Sequence, residues 1–350
     1  MKIELIGKPE IIMQNPDSFH KYFAWPSIAR LKDGRIAVTS SGYRIEHVCP
    51  FGKACIAFSS DNGKTYTMPT PVIDTVLDDR DAGIVPFGKS GAIVTSFNNT
   101  VEFQKGVEPD NSYRMGYLEK ITPEQEKNAL GAEFRISFDN CTTFGKIYKS
   151  PITSPHGPAE LSDGTILWVG RVFSDNDTFT EGKIGVLCYR VNPEDGSMEL
   201  IGSIHCEESL HLCEPHMIEA GDKLICHLRS DSQFTTYQSE SYDKGKTWTE
   251  PHRLLPDKGG APAHLLKTDS GMLVSVYGYR EFPYGIKAMF STDNGETWDV
   301  DHILYENEIT DDIGYPATIQ LEDSSFITVF YAHPEKNSPA VILQQRWKLV

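Results

Sequence analysis

The sequence lacks any apolar run long enough to cross a membrane, so no membrane partner is expected. Its start, MKIELIGKPEIIMQ, has no basic region, long apolar core or small-residue cleavage site of the kind a secretion signal carries. Positive charge is scarce. Lys and Arg number 33 against 49 Asp and Glu, a net charge of −16, which disfavours nucleic acid as a partner and favours solubility. The cysteines, Cys49, Cys55, Cys141, Cys188, Cys206, Cys213 and Cys226, are odd in number and form no CxxC pair. A disulfide framework or zinc knuckle is therefore not expected, and reduced cysteines used as small apolar residues point to a cytoplasmic protein. No HExxH-type spacing joins the histidines, and no P-loop or GxGxxG sits between a strand and a helix. Neither a metal nor a nucleotide cofactor is indicated. Nothing resembles an interdomain linker, so residues 1–350 are expected to form one domain.

What is present is repetition. The stretch CEPHMIEAGDKLICHLRSDS, Cys213 to Ser232, reads as two apolar strands joined by a tight turn at Gly221-Asp222. Five other segments share its pattern of a small residue or proline, an apolar strand, a turn and a second apolar strand. They run from Trp25 to Arg44, Asp81 to Asn99, His156 to Arg171, Gly260 to Arg280 and Gly314 to His333. Their starts are roughly fifty to seventy residues apart, about the length of a four-stranded sheet with its loops. Between some of them lies a second repeat, S-x-D-x-G-x-T-aromatic. It is intact at SSDNGKTY (Ser59–Tyr66), SYDKGKTW (Ser241–Trp248) and STDNGETW (Ser291–Trp298), and worn at SFDNCTTF (Ser137–Phe144), where Cys141 replaces the glycine. This pattern reads as a hairpin turn: aspartate accepts backbone N–H groups, glycine takes the left-handed position and the aromatic packs on a neighbouring sheet. One polar segment, TPEQEKNALGAEF (Thr122–Phe134), reads as a short helix or loop within the second blade. The fold class is all-β, a six-bladed β-propeller of four-stranded antiparallel blades.

If the six hairpins point the same way, their open ends converge on one mouth of the central channel. Blade one then contributes Trp25, Arg44 and His47; blade two, Arg80, Asp81 and Asn98-Asn99; blade three, His156 and Arg171. Blade four contributes Glu214, His216 and Arg229; blade five, Arg280; blade six, Tyr315 and His333. Four arginines at hairpin ends, Arg44, Arg171, Arg229 and Arg280, are unusual in so acidic a protein. Planar, permanently charged forks match a carboxylate, so a carbohydrate carrying one is the expected ligand, unless each arginine pairs with a local Asp or Glu on the rim. His156, His216, His264 and His333 fall near strand ends, where some would line the same mouth.

The boxes and the six hairpins together resemble the sialidase (neuraminidase) superfamily of Asp-box propellers over essentially the whole chain. That resemblance implies Tyr315 as nucleophile with Glu214 taking its proton, and Arg229 and Arg280 gripping the substrate carboxylate. A neutral tyrosine is not repelled by an anionic substrate as a carboxylate would be. Two departures stand out. The family opens with F-R-I-P, whose arginine is the first of three on the carboxylate, whereas FAWP (Phe23–Pro26) puts Ala24 there. The family also places an acid/base aspartate in the loop after the first hairpin, and Arg44–Pro50 has none, leaving Glu46, His47 or Asp81 as candidates. Trp25, Arg80 and His156 complete the expected substrate wall. The resemblance implies an exo-acting glycosidase that removes a terminal acidic sugar, either sialic acid or a sugar linked to a uronate. A polysaccharide lyase or a non-catalytic glycan-binding propeller would use the same scaffold.

Overall fold

A computed structural model describes residues 1–107, 109–173, 185–255 and 259–350. Six antiparallel sheets surround a central channel, as the repeat predicts. The inner strands of blades one, two, four, five and six are Tyr22–Arg30, Ile84–Phe87, Leu212–Ala220, Gly260–Lys267 and Gly314–Gln320. Blade three has a split inner edge, Ile152–Thr153 and Ala159–Glu160, both pairing with Ile166–Val172. Blade six borrows its outer strand from the other end of the chain: Ile3–Met13 pairs antiparallel with Val341–Leu349, in register from Ile3 opposite Leu349. That pairing closes the ring.

Neighbouring blades pack face to face through their apolar residues. Ile28, Val38, Ala317 and Val329 join blades six and one, for example, and Phe134, Trp168 and Val191 join two and three. The Asp boxes link the third and outer strands of blades one, two, four and five. In each box a serine hydroxyl donates to the aspartate while accepting from a backbone N–H, and the aspartate takes the threonine N–H and O–H. In the first box these bonds are 2.7 Å, 2.8 Å, 2.9 Å and 2.6 Å. Cys141 holds the worn copy in the same geometry with φ 62°. The aromatics reach to the preceding blade: Tyr66 donates to Gln344 at 2.9 Å and Trp298 to Gln238 at 2.9 Å. Counting strand directions places these turns on the face opposite the mouth, where their aspartates serve the turn.

The long connection inside blade two holds three helices: α1 Val101–Val107, α2 Ser112–Leu118 and α3 Pro123–Ala129. Only α3 falls in the segment expected to be helix or loop, and the strand Ala132–Ser137 takes up that segment's end. Its start is a capping box in which Thr122 and Gln125 exchange bonds of 3.2 Å and 2.9 Å. Each helix is seven residues long, too short for a 3.6-residue apolar period to show in sequence.

Inner strands of adjacent blades share no ladder, so side chains stitch them around the channel. Thr39 donates to the Ala82 carbonyl, and Thr236 to that of Gly260 at 3.2 Å. His216 Nδ1 accepts from the Leu265 N–H at 2.9 Å, and His264 Nδ1 from the Thr318 N–H at 3.4 Å. Blades two and three touch backbone to backbone: a Cβ on Gly83 would stand 2.5 Å from the backbone of both His156 and Gly157. His156, His216 and His264 converge in the channel with ring centroids 4.5–5.4 Å apart. Burial holds all three below the ordinary histidine value, His216 at about 4. The unfolded chain therefore binds protons first on acidification, and stability is lost as pH falls from about 6.5 toward that value. We expect urea unfolding to show a loss on the order of 3 kcal/mol from His216 across this window, with His156 and His264 acting in the same direction. His216→Gln is expected to flatten the profile, whereas an unchanged profile in that variant would assign the acid sensitivity elsewhere.

Candidate active site

The mouth is built from one backbone device used repeatedly. In blades one, four, five and six the second strand skips a partner at the start of the inner strand. Trp25-Pro26, Glu214-Pro215, Ala261-Pro262 and Tyr315-Pro316 each oppose a single residue. In blade two Asp81-Ala82 do the same between the Arg80–Phe97 bridge and the Gly83–Thr95 bond. These are β-bulges, which turn a side chain away from the pleat. Trp25, Asp81, Glu214 and Tyr315 take left-handed φ values of 52°, 42°, 47° and 49° there. Non-glycine residues pay for that conformation, by about 1–3 kcal/mol each.

The result is a cavity of about 260 Å³. It is lined by Trp25, His47, Arg80, Asp81, Arg171, Glu214, Arg229, Asp231, Arg280 and Tyr315, among others. Of the residues expected on sequence grounds, nine therefore meet in one mouth. Four guanidiniums face three carboxylates in a protein whose net charge is −16.

At the centre the Tyr315 hydroxyl donates to Glu214 Oε1, and Arg229 Nη1 donates to Glu214 Oε2 at 2.9 Å. The other fork of Arg229 reaches Asp231 at 2.8 Å. Burial, then the charges of Glu214 and Asp81, raise the Tyr315 phenol well above its ordinary value. Burial would raise Glu214 too, but Arg229 and the Tyr315 bond outweigh it and hold this carboxyl below its usual range. The pair is thus a neutral phenol on an ionised carboxylate, poised to pass one proton when the phenol oxygen forms a bond. Arg280 stands 5.8 Å from the Tyr315 ring centroid and is held by the Ile313 carbonyl and Tyr331 hydroxyl, both at 2.9 Å.

Two expected site residues lie elsewhere. Arg44 is wholly buried beneath Trp25, 4.7 Å from its ring. It is locked to Asp78 at 2.6 Å and bonded to Ser41 and the carbonyls of Glu46 and His47. The reason is register. Arg229 pairs with the residue just before its bulge, Cys213, but the equivalent partner of Ala24 is Ser41, so Arg44 lies three residues beyond the mouth. His156 is buried deeper in the channel, its Nδ1 2.8 Å from Ser27 Oγ, because Thr153, Ser154 and Pro155 turn across the mouth in its place. His216 and His264 share that interior, and Asn98 bonds to Asp79 and the Ala129 carbonyl. Glu46 is turned to Arg114 at 3.0 Å.

Other residues escaped the sequence reading. Asp312 accepts from Tyr22, Tyr331 and His333, each at 2.9 Å, and lies 3.2 Å from His47 Nδ1. Burial would raise its carboxyl; the two histidines and Tyr22 hold it far below the usual range. Tyr331 could have been found, since it pairs with Gly314 just before the blade-six bulge, the place Arg229 holds in blade four. Asp231 follows Arg229 by two residues and carries no repeat signal.

The profile of the BNR repeat-like domain matches residues 149–328. No curated protein matches the sequence. Among solved structures, a protein of unknown function from Dyadobacter fermentans superposes with TM-score 0.80 at 18% identity over 99% of each chain. The NanB sialidase of Streptococcus pneumoniae gives 0.69 at 12% identity, over 98% of this chain and 71% of that one. The Trypanosoma rangeli sialidase gives 0.64 at 15%, over 98% and 59%. Identities this low establish a sialidase-like fold and leave chemistry to the side chains.

The two kinds of arginine separate by stability. Arg44→Met strands the buried Asp78 charge and is expected to cost about 3–5 kcal/mol in urea unfolding. Arg171→Met, at a part-exposed position on the cavity wall, is expected to cost clearly less than Arg44→Met. Equal losses in the two variants would contradict the division.

Proposed function

The chain belongs to the BNR repeat-like domain family, and on the chemistry of its mouth we propose an exo-acting glycosidase that removes a terminal acidic sugar. The observation that carries this reading is the Tyr315–Glu214–Arg229 chain, set in a mouth where four arginines gather. A hydroxyl bonded to an ionised carboxylate is an activated nucleophile in waiting, and guanidinium forks suit a sugar carboxylate. The volume of about 260 Å³ fits one sugar ring, which favours the end of a glycan over its interior.

In this reading Arg229 and Arg280 hold the carboxylate. Ala24, where sialidases have an arginine, is fully buried and offers nothing to it. A lost charged contact is worth about 2–5 kcal/mol. Arg80 and Arg171 line the same cavity and add their positive charge to it. Arg80 lies 4.4 Å over Trp25, so the tryptophan holds its guanidinium in place. Tyr315 Oη attacks the anomeric carbon as its proton moves to Glu214 Oε1. His47 or Asp81 supplies the proton to the departing oxygen. Water then completes the cycle.

The decisive assay follows release from aryl glycosides of sialic acid and of uronate-linked sugars. Tyr315→Phe is expected to lower turnover at least ~10³-fold while ligand affinity stays within a few-fold. Products absorbing in the near ultraviolet would instead mark a lyase, with a uronate α-proton abstracted. Binding with no turnover of any sugar would mark a glycan-binding propeller.

A further inference from the structure

Resting on the glycosidase reading, we infer that His47 carries the proton to and from the leaving oxygen, and that Asp312, Tyr22 and His333 are the residues that position it. His47 lies in the loop after the strand Ile36–Arg44, with 48% of its side chain exposed at the mouth. Its Nδ1 stands 3.2 Å from Asp312 Oδ1 and 3.3 Å from Tyr22 Oη. Tyr22 has one proton and donates it to Asp312 Oδ2 at 2.9 Å, so both neighbours of Nδ1 are acceptors. Nδ1 therefore keeps its hydrogen in either charge state. Among the described residues Nε2 has no protein partner and is the nitrogen left to exchange protons with a ligand.

Behind this dyad sits a fixed cation. His333 Nδ1 donates to the Ser338 carbonyl at 2.6 Å and its Nε2 to Asp312 Oδ2 at 2.9 Å. With an acceptor at each nitrogen the ring is an imidazolium, and Asp312 raises its pKa against the effect of burial. Asp312 thus takes four donors and remains an anion that orients His47 without itself accepting the proton. The same carboxylate receives Tyr331, which receives Arg280 at 2.9 Å, so the anion clamp and the proton carrier share one support.

Every packed element contributes to the balance on His47. The enclosing mouth disfavours its cation, Asp312 favours it, and the guanidiniums of Arg80 and Arg44 oppose it; the outcome lies below the ordinary histidine value. The Trp25 ring meets His47 edge-on at 4.9 Å and fixes its plane. Asp81, the rival, is nearly fully buried and close enough to Tyr315 to help keep the phenol protonated.

The cycle balances. In the first half Nε2–H gives its proton to the glycosidic oxygen, which takes the electron pair of the breaking C–O bond. Tyr315 Oη bonds to the anomeric carbon and its proton passes to Glu214. In the second half neutral Nε2 takes a proton from water, whose oxygen bonds to that carbon. The Tyr315–carbon bond breaks, its pair returns to the phenol oxygen, and Glu214 gives the proton back.

The test uses the methyl and 4-nitrophenyl glycosides of whichever acidic sugar the wild type turns over. In kcat/KM, which reports the first half of the cycle, His47→Gln should lose at least ~100-fold on the methyl glycoside, which needs an acid, and less than about tenfold on the aryl one, which does not. Asp312→Asn should move the basic limb of the methyl-glycoside profile to lower pH, whatever it does to KM through Tyr331 and Arg280. Equal losses on both glycosides in His47→Gln, or that leaving-group dependence appearing in Asp81→Asn, would overturn the inference. Nitrogen-15 NMR of the imidazoles needs no substrate: neutral His47 should be the Nδ1–H tautomer, and Asp312→Asn should mix the tautomers. An Nε2–H tautomer in the wild type would sink the dyad whether or not any sugar is cleaved. Absence of turnover with the expected tautomer would sink the glycosidase reading and the proton transfer with it, and leave only the positioning of His47 by Asp312 standing.

Discussion

Everything in the mouth depends on two residues opposing one at the start of the inner strands. A regular ladder would alternate side chains between the two faces of a blade, and none would look along the channel axis. The bulge breaks that alternation. At Trp25, Asp81, Glu214 and Tyr315 it does so with a left-handed backbone that side chains ordinarily avoid. Three of these four precede proline, which restricts them again. Such strain persists only where the surroundings over-determine it, and here the bulges of blades one, four and six have paired residues on both sides. Rigid sheets around the channel hold the strained residues, and the strained residues face one another.

The electrostatics follow from that convergence. Several carboxylates are brought close together, and a cation meets each of them: Arg229 at Glu214 and Asp231, Arg44 at Asp78, His333 at Asp312. The division of labour is set by accessibility. Arg44 spends its whole fork on buried partners and supports the loop that carries His47. Arg171 and Arg280 keep part of their surface toward the cavity. A count of arginines in the sequence does not distinguish these fates, because exposure is decided by register, and a shift of three residues is enough to bury a charge.

That difference marks how far the sequence was legible. The propeller could be read because its signals are local: Gly221 at φ 64° opening a two-residue turn, glycines at φ 76°, 85° and 79° in three Asp boxes, and apolar strands between them. Tyr315 and Glu214 could be placed because each sits at a strand start next to a proline, and Arg229 because it ends the second strand of the same hairpin as Glu214. Asp312 could not, since it lies in the loop after Asp299–Asn307 and acquires meaning only when blades one and six close against each other. The closing strand Ile3–Met13 is invisible for the same reason, its partner lying more than three hundred residues away along the chain.

The closure itself bears on the site. Tyr22 comes from blade one, while Asp312, Tyr331 and His333 come from the segment that builds blade six, so the hub spans the seam that the first strand fastens. Trp25 packs across the same seam against Tyr315 and Tyr331, with ring centroids 6.3 Å and 6.0 Å away. In a closed ring every other pair of blades is joined by covalent chain as well as by packing; here, the chain passes through the outer strand instead. A polar network that needs partners from both sides is satisfied only when the ring is complete. The chemistry of the mouth and the completion of the fold are therefore one constraint: the groups proposed to move protons are aligned by the contact that makes the propeller whole.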